Sequence, residues 1–192
     1  MVVWRKPQDN FVKINSDGNA LSNPGKIGVG TIIRDQHGNF IHAMATPLGE
    51  GTNNQAEAAI VGVQWCLENG YTKTHLKVDS ALLINWINNN SEPPWSLQML
   101  IQKLKDLSQH LEEFKCTHVY REANFPVDSL SKLSHELEDI SYFHSVQELP
   151  PHIRGQIRLD QLDTLAFRHK TTKRFQMTTH NNSTSNSSNG YG

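Results

Sequence analysis

The sequence has little of what marks secreted, membrane-spanning or strongly charged proteins. It contains only two cysteines, Cys66 and Cys116, which have no metal-ligand spacing and indicate a reducing compartment. No apolar run comes near the roughly 18 residues that a membrane-spanning helix needs, and residues 1–10 resemble neither a signal peptide nor a transit peptide. We therefore expect an intracellular protein, cytoplasmic or nuclear, that is not secreted and does not bind membranes. We also expect a monomer.

Net charge is nearly absent as well, since the formal charge of the 192 residues is −1 at pH 7. An overall field that attracts nucleic acid is therefore excluded, and a polyanion would have to be held by local groups or by metal ions. Hydrophobic residues make up 36% of the chain, which is enough for one core of ordinary size and a small appendage.

Periodicity divides the chain into four segments. Residues 1–10 form a polar lead-in, and residues 11–136 carry the regular apolar periodicity of a folded domain. Apolar positions become sparse in residues 137–170, which we interpret as a C-terminal extension that either packs on the domain or serves as a partner peptide. Residues 171–192 contain almost no aliphatic side chains and are predicted to be a disordered, low-complexity tail.

The domain segment alternates between strand patterns and helix patterns. Alternating apolar residues predict five strands: FVKINS, GVGTIIRD, NFIHAMAT, HLKVDS and KCTHVYRE. Helical periodicity predicts four helices: TNNQAEAAIVGVQWCLENG, ALLINWIN, SLQMLIQKLKDLSQHLEEF and NFPVDSLSKLSHE. The resulting order, βββαβααβα, is a meander followed by alternating units, and it predicts an α/β fold with one mixed sheet and helices on its faces.

Four carboxylates fall at the ends of these elements. Asp17 closes the first predicted strand and Asp79 the fourth, while Glu57 and Asp128 lie in the first turns of helices. Each has an ordinary structural explanation, because aspartate favours turns and acidic residues suit a helix N-terminus. Asp35, in a predicted hairpin turn, needs no other explanation. Taken together, however, the four indicate a site, since ligands collect at the carboxyl ends of parallel strands.

Convergence of the four carboxylates requires that the first and fourth strands are parallel neighbours. The carboxylates would then repel one another unless cations neutralised them. Such hard oxygen donors suit Mg²⁺ or Mn²⁺ better than zinc. Two such ions can activate water and stabilise the leaving oxygen in phosphodiester cleavage. The residues alone therefore lead to the hypothesis of a metal site for phosphodiester chemistry.

Four blocks of the chain, in order, are similar to ribonuclease H domains. They are INSDGNALSNPGKIGVGTIIRDQHGNFI, TNNQAEAAIVGV, LKVDSALLINWI and HVYREANFPVDSLSK. With their flanks they resemble the plant ribonuclease H-like proteins related to non-LTR retrotransposon reverse transcriptases, over residues 4–136. The resemblance implies the three-layer ribonuclease H-like fold, a five-stranded mixed sheet with helices on both faces.

The resemblance also implies an activity and a set of site residues. Two Mg²⁺ ions, which Mn²⁺ could replace, would be held for endonucleolytic cleavage of the RNA strand of an RNA/DNA hybrid, leaving a 3′-hydroxyl and a 5′-phosphate. The implied catalytic metal ligands are Asp17, Glu57, Asp79 and Asp128. Further substrate contacts are implied for Gly18, Asn19, Thr52, Asn53, Asn124 and Arg121. Three of these residues have alternatives from the sequence: Thr52 or Asn124 could cap a helix, and Arg121 could form a surface ion pair.

Two features of ribonucleases H are missing, and they leave a second function open. The short loop between the fifth strand and the last helix has no histidine, since His118 lies in the strand and His135 two helical turns past Asp128. The segment INNNSEPPWS has no lysine or arginine, so the basic substrate grip of some relatives is absent. The alternative function is therefore a domesticated, catalytically weak or silent module that binds nucleic acid.

Overall fold

The computed structural model describes residues 3–22, 25–51 and 55–162. The strands are β1 (Val12–Ala20), β2 (Gly25–Arg34), β3 (Phe40–Gly51), β4 (Lys73–Val78), β5 (Glu113–His118) and β6 (Ser141–Phe143). The helices are α1 (Gln55–Glu68), α2 (Ala81–Ile87), α3 (Trp95–Gln109), α4 (Phe125–Leu133) and α5 (Pro151–Gln161). The predicted tail at 171–192 lies outside the described residues.

The strands form one mixed sheet in the order β5-β4-β1-β2-β3-β6. β1 is parallel to β4 and antiparallel to β2, and β4 is parallel to β5. The predicted α/β class and the parallel pairing of the first and fourth strands are therefore confirmed. The sheet has six strands where five were predicted, because three residues of the 137–170 extension, Ser141–Phe143, pair antiparallel with β3.

Helices cover both faces of the sheet, and β2 shows how the two faces are separated. A side chain at Gly62 of α1 would meet Ile14 and Thr31, whereas one at Gly30 would meet the backbone of α4. Since neighbouring strand residues point to opposite faces, α1 and α4 lie on opposite sides of the sheet. α1 and α3 share one apolar core with the sheet, and α4 and α5 share the other. No helix in the described ranges is long and apolar enough to cross a membrane.

Two predicted element boundaries are wrong. β1 continues to Ala20 because its ladder with β2 extends that far, so Asp17 lies inside the strand and does not close it. β5 begins at Glu113, where Glu113 pairs with Lys73, and it takes two residues that the helical pattern assigned to α3. The strand ends at His118, and a 3-10 turn at Arg121–Ala123 leads into α4. The domain boundaries placed at 11–136 and 137–170 stay a prediction.

Candidate active site

The parallel pairing of β1 with β4 brings two predicted site residues together. The register pairs Asn15 with Lys77, and two residues further along the same face it places Asp17 beside Asp79. Asp17 is buried, with 4% of its surface exposed, while Asp79 is half-buried. The negative charge of Asp79 acts on Asp17. The two carboxylates therefore share one site at the carboxyl end of β4.

Asn124 joins α4, which carries Asp128, to the same face of β1. The Asn124 Nδ2 atom donates to the Ser16 carbonyl at 3.2 Å, and Asn124 Oδ1 accepts from Asn15 Nδ2 at 2.8 Å. The Asn124 side chain makes no capping hydrogen bond. It therefore attaches the start of α4 to β1 and does not cap the helix.

Ser131 makes a second connection between α4 and β1. Its Oγ lies 2.9 Å from Asp17 Oδ2 and 2.9 Å from the Asp128 carbonyl oxygen, and its single proton serves one of them at a time. Sequence analysis missed this fully buried residue. The signal was its position three residues after Asp128, which places both residues on one face of the helix.

Two glycines of β2 let α4 approach the sheet closely. A β-carbon at Gly30 would lie 2.6 Å from the Ser131 nitrogen and 2.7 Å from the Val127 carbonyl oxygen. At Gly28 it would lie 1.9 Å from Ser134 Oγ. The distance between Asp17 on β1 and Asp128 on α4 therefore depends on the absence of side chains at these positions.

Gly30→Ala is expected to destabilise the protein by about 1–3 kcal/mol, the usual cost of overpacking a filled interior. Because the new methyl group meets helix backbone, α4 has to move, and with it Asp128 relative to Asp17. Thermal unfolding measures the loss of stability. The matched control is Gly155→Ala in α5, where a β-carbon meets nothing within 4 Å. There alanine should be neutral or stabilising by up to about 1 kcal/mol. Equal effects of the two substitutions would contradict the close-approach explanation.

The environment of Asp17 opposes its ionisation. Burial raises the pKa of Asp17 from 3.8 to about 7, and the neighbouring charge of Asp79 contributes in the same direction. The Ser131 hydrogen bond lowers the pKa by more than Asp128 raises it, and Arg121 lowers it further, but these effects do not cancel those of burial and Asp79. The deepest carboxylate of the site is therefore short of positive charge.

Asp128, by contrast, is already paired with two cations. Burial alone would raise its pKa, but hydrogen bonds from Lys132 and Arg121 outweigh that effect and hold the pKa of Asp128 below its usual value. Lys132 Nζ lies 2.6 Å from Oδ2, and Arg121 lies 2.9 Å from Oδ1. Both cationic side chains are more than half exposed. They can therefore leave Asp128 without being buried unpaired themselves, whereas the buried Asp128 would then need another cation.

The start of α1 reaches the same site. Gln55 Nε2, on the first residue of the helix, donates to Asp79 Oδ1 at 2.7 Å. Glu57 follows in the first turn of α1 and is half-buried. The charges of Asp79 and Asp128 thus both act on Asp17, whereas Glu57 is placed near the site by its helix alone.

Comparison with known proteins identifies the family. A family model described as "Reverse transcriptase-like" matches residues 15–134, which is more than half of the chain. The chain belongs to this family. A protein of Arabidopsis thaliana named "Putative ribonuclease H protein" is 27% identical over 164 residues, which are 84% of this chain and 26% of that protein. The chain therefore spans about a quarter of the length of that relative.

Solved structures show that this reverse transcriptase-like domain has the ribonuclease H fold. RNase H1 from the archaeon Halobacterium salinarum has a TM-score of 0.64 at 22% identity, covering 66% of this chain and 98% of that one. LC11-RNase H1, isolated from compost, has a TM-score of 0.63 at 26% identity, covering 66% and 96%. The same enzyme in complex with an RNA/DNA hybrid matches with a TM-score of 0.60 at 25% identity, covering 64% and 94%. The resemblance to ribonucleases H is therefore confirmed.

The carboxylates of this ribonuclease H-type domain fit a divalent cation by their chemistry. Asp17 and Asp79 offer oxygen donors of the type that Mg²⁺ and Mn²⁺ prefer, and a cation between them would relieve the repulsion at Asp17. Within the described ranges, no three histidine, cysteine or carboxylate side chains stand at the spacing of a metal site. One reason is that Asp128 is turned toward Lys132 and Arg121. If Asp128 is to bind a metal together with Asp17 and Asp79, it must first give up its contacts with Lys132 and Arg121.

The other predicted contact residues lie in several places. Gly18 and Asn19 are in β1, where Asn19 Oδ1 lies 3.1 Å from His135 Nε2. Arg121 forms an ion pair with the buried Asp128, whereas the alternative from the sequence was a surface ion pair. Thr52 and Asn53 lie outside the described residues. The roles of all these residues in substrate binding stay predictions.

Proposed function

We propose that this protein is an endoribonuclease that cleaves the RNA strand of RNA/DNA hybrids. The observation that carries the proposal is the meeting of Asp17, Asp79 and Asp128 at the carboxyl end of β4, in a chain of the reverse transcriptase-like family. A ribonuclease H1 of the same fold has been solved with such a hybrid bound. A buried, repelling carboxylate cluster costs stability and is best explained by the binding of cations.

Two Mg²⁺ ions held by Asp17, Glu57, Asp79 and Asp128 would supply an activated water and charge stabilisation at the leaving oxygen. The protein itself contributes by holding the carboxylates in position. Ser131 orients the Asp17 carboxylate, and Asn124 fixes the distance of α4 from β1. Lys132 and Arg121, once released from Asp128, become cations beside the substrate phosphates. We further propose that the protein acts as an intracellular monomer.

Cleavage of a labelled RNA/DNA hybrid, with Mg²⁺ titrated from zero, tests the proposal. We expect Asp17→Asn to lower the rate by more than about a hundredfold, because loss of mere supporting groups at metal sites already costs 10–100-fold. The matched control is Asp35→Asn. Asp35 Oδ1 accepts from the His37 and Asn39 amides at 2.8 and 2.7 Å in a hairpin turn, so its loss should leave the rate near that of the wild type. An unchanged rate with Asp17→Asn would exclude the proposed mechanism.

A second candidate function is a silent module that binds nucleic acid without turnover. The observation in its favour is the occupation of Asp128 by Lys132 and Arg121, which competes with metal binding. Hybrid binding with no cleavage in either Mg²⁺ or Mn²⁺ would favour this module. Cleavage that depends on Asp17 would exclude it.

A further inference from the structure

One part of the sheet beside the candidate active site carries two lysines together with a histidine and a threonine. The strip consists of His75 and Lys77 on β4 with Lys115 and Thr117 on β5. His75 pairs with Lys115 and Lys77 with Thr117, so all four side chains point to one face. This face also holds Asp79, two residues after Lys77. We call these four residues the cationic strip.

The side chains of the cationic strip are partly exposed, whereas helices cover β2 and β3 on this face. On β4 the residues of this face are partly exposed and alternate with fully buried residues. α4 and α5 pack with Ile32, Ala43 and Ala45 on β2 and β3, further along the same face. A ligand can therefore approach the strip from the side of the sheet on which Asp17 and Asp128 lie.

The lysines of the strip form no ion pairs within the described residues, although the charge of Lys115 acts on Glu113. Among the described residues, neither Lys77 nor Lys115 forms an ion pair, and neither does Lys13, which is adjacent to His75 on β1. Lys13 itself is only 3% exposed. Its Nζ donates to the Arg5 carbonyl, and because burial lowers the pKa of Lys13 to about 7, it adds only part of a positive charge at neutral pH. Lys73, at the far end of the same strand, is different, because Glu113 lies 2.9 Å and Glu112 3.9 Å from its Nζ.

The amine of Lys77 is held in place by the hydroxyl of Thr117. Its Nζ lies 2.5 Å from Thr117 Oγ1, and His75 Nε2 lies 2.7 Å from the same oxygen. Burial and the surrounding lysines lower the pKa of His75 to about 4, so the ring is neutral and can accept the threonine proton. Lys77 then uses one of its three N–H donors on Thr117 and keeps two for a ligand. Lys115 contacts Gln8 and lies 4.4 Å from the centre of the Phe11 ring.

We propose that the cationic strip binds the phosphodiester backbone of a nucleic acid strand that passes the catalytic carboxylates. The proposal rests on the proposed function for its choice of ligand. Lys77 precedes Asp79 by two residues on one face, which is about 7 Å along an extended strand. A strand with one phosphate at the carboxylates therefore places a neighbouring phosphate within reach of the Lys77 ammonium. The strip would supply the positive charge that the segment INNNSEPPWS lacks.

The test is the affinity of the full chain for a fluorescent RNA/DNA hybrid in EDTA, measured by anisotropy across a series of KCl concentrations. We expect Lys77→Gln to weaken binding severalfold at low salt. It should also reduce the slope of log Kd against log [KCl] by about 0.9, the loss of one phosphate contact. Lys115→Gln is expected to act in the same direction and serves as the second variant should Lys77→Gln fold poorly. Lys73→Gln is the matched control, because its charge is already compensated, and it should change neither quantity.

Equal binding curves for Lys77→Gln, Lys115→Gln and Lys73→Gln would overturn the inference. The same proteins assayed for hybrid cleavage in Mg²⁺ separate this result from a failure of the proposed function. Efficient cleavage by the wild type with no effect of Lys77 or Lys115 on binding would reject the strip alone. Lysine-dependent binding without cleavage would reject the endonuclease and retain the strip as a nucleic-acid site.

Discussion

At pH 8 and without metal ions, the Asp17→Asn protein is expected to be more stable than the wild type. The wild-type carboxylate is buried beside Asp79, and its pKa is raised from 3.8 to about 7. Each unit of raised pKa corresponds to about 1.4 kcal/mol of cost to the ionised form. Asparagine keeps the shape of the side chain without the charge, so it should raise the free energy of unfolding by about 2–4 kcal/mol at this pH.

The pH dependence follows from the direction of the shift. A carboxylic acid whose pKa is higher in the folded state leaves the protein most stable at low pH, and stability is lost as the pH rises from 3.8 to about 7. The advantage of Asp17→Asn should therefore be small near pH 4 and reach its full size above pH 7. Urea unfolding of both proteins in EDTA at pH 5 and pH 8 measures the difference. An advantage of equal size at both values would show that Asp17 is not forced to ionise in an unfavourable site.

The effect of added Mg²⁺ on the stability of the wild type and the Asp17→Asn protein is the complementary control. A ligand at 100 times its Kd stabilises the folded state by about 2.7 kcal/mol. The wild type should gain such stability on addition of Mg²⁺, whereas the Asp17→Asn protein should gain much less because a ligand is lost. A gain in stability together with a loss of the Mg²⁺ response would thus support the proposed cation binding at this site.

Much of this site could be predicted from the sequence because it depends on chain order and strand pairing. A meander followed by a crossover places β4 beside β1, and the two-residue period of a strand then brings Asp79 beside Asp17. The identity of the acidic residues and the order of the elements suffice for that step. The predicted end of β1 at Asp17 was wrong. The ladder with β2, and not the apolar pattern of β1 itself, decides where β1 ends.

What the sequence could not show depends on side chains that meet across long separations. Ser131 reaches Asp17 over 114 positions, and Asn124 reaches Asn15 over 109. The spacing of Ser131 from Asp128 marks a shared helix face, but no local pattern shows that Ser131 or Asn124 contacts β1. The cationic strip was hidden for a similar reason. Its members are spaced along two strands that become neighbours only in the sheet, while the net charge of the whole chain is −1.

The contact that fastens the C-terminal extension to the domain also joins residues far apart in the sequence, so the sequence could not show it. Arg34 of β2 is 1% exposed, and its NH1 atom lies 2.7 Å from Asp160 Oδ2 of α5. Its guanidinium also donates to Asn15 at 3.0 Å and stacks 3.8 Å from the centre of the Trp4 ring. Burial lowers the pKa of Arg34 and raises the pKa of Asp160. Each charge therefore depends on the other for compensation.

Asp160→Ala is expected to lower the free energy of unfolding by about 3–5 kcal/mol, the usual effect of leaving one partner of a buried ion pair alone. The effect should be large because Lys13 is a second buried cation close enough to repel Arg34. Urea unfolding measures it, with Glu113→Ala in the exposed pair with Lys73 as the control, for which little change is expected. The double substitution Arg34→Met with Asp160→Leu removes both charges and should recover most of the loss. If the double variant were as unstable as Asp160→Ala, the loss would come from packing of α5 on the sheet and not from an unpaired arginine.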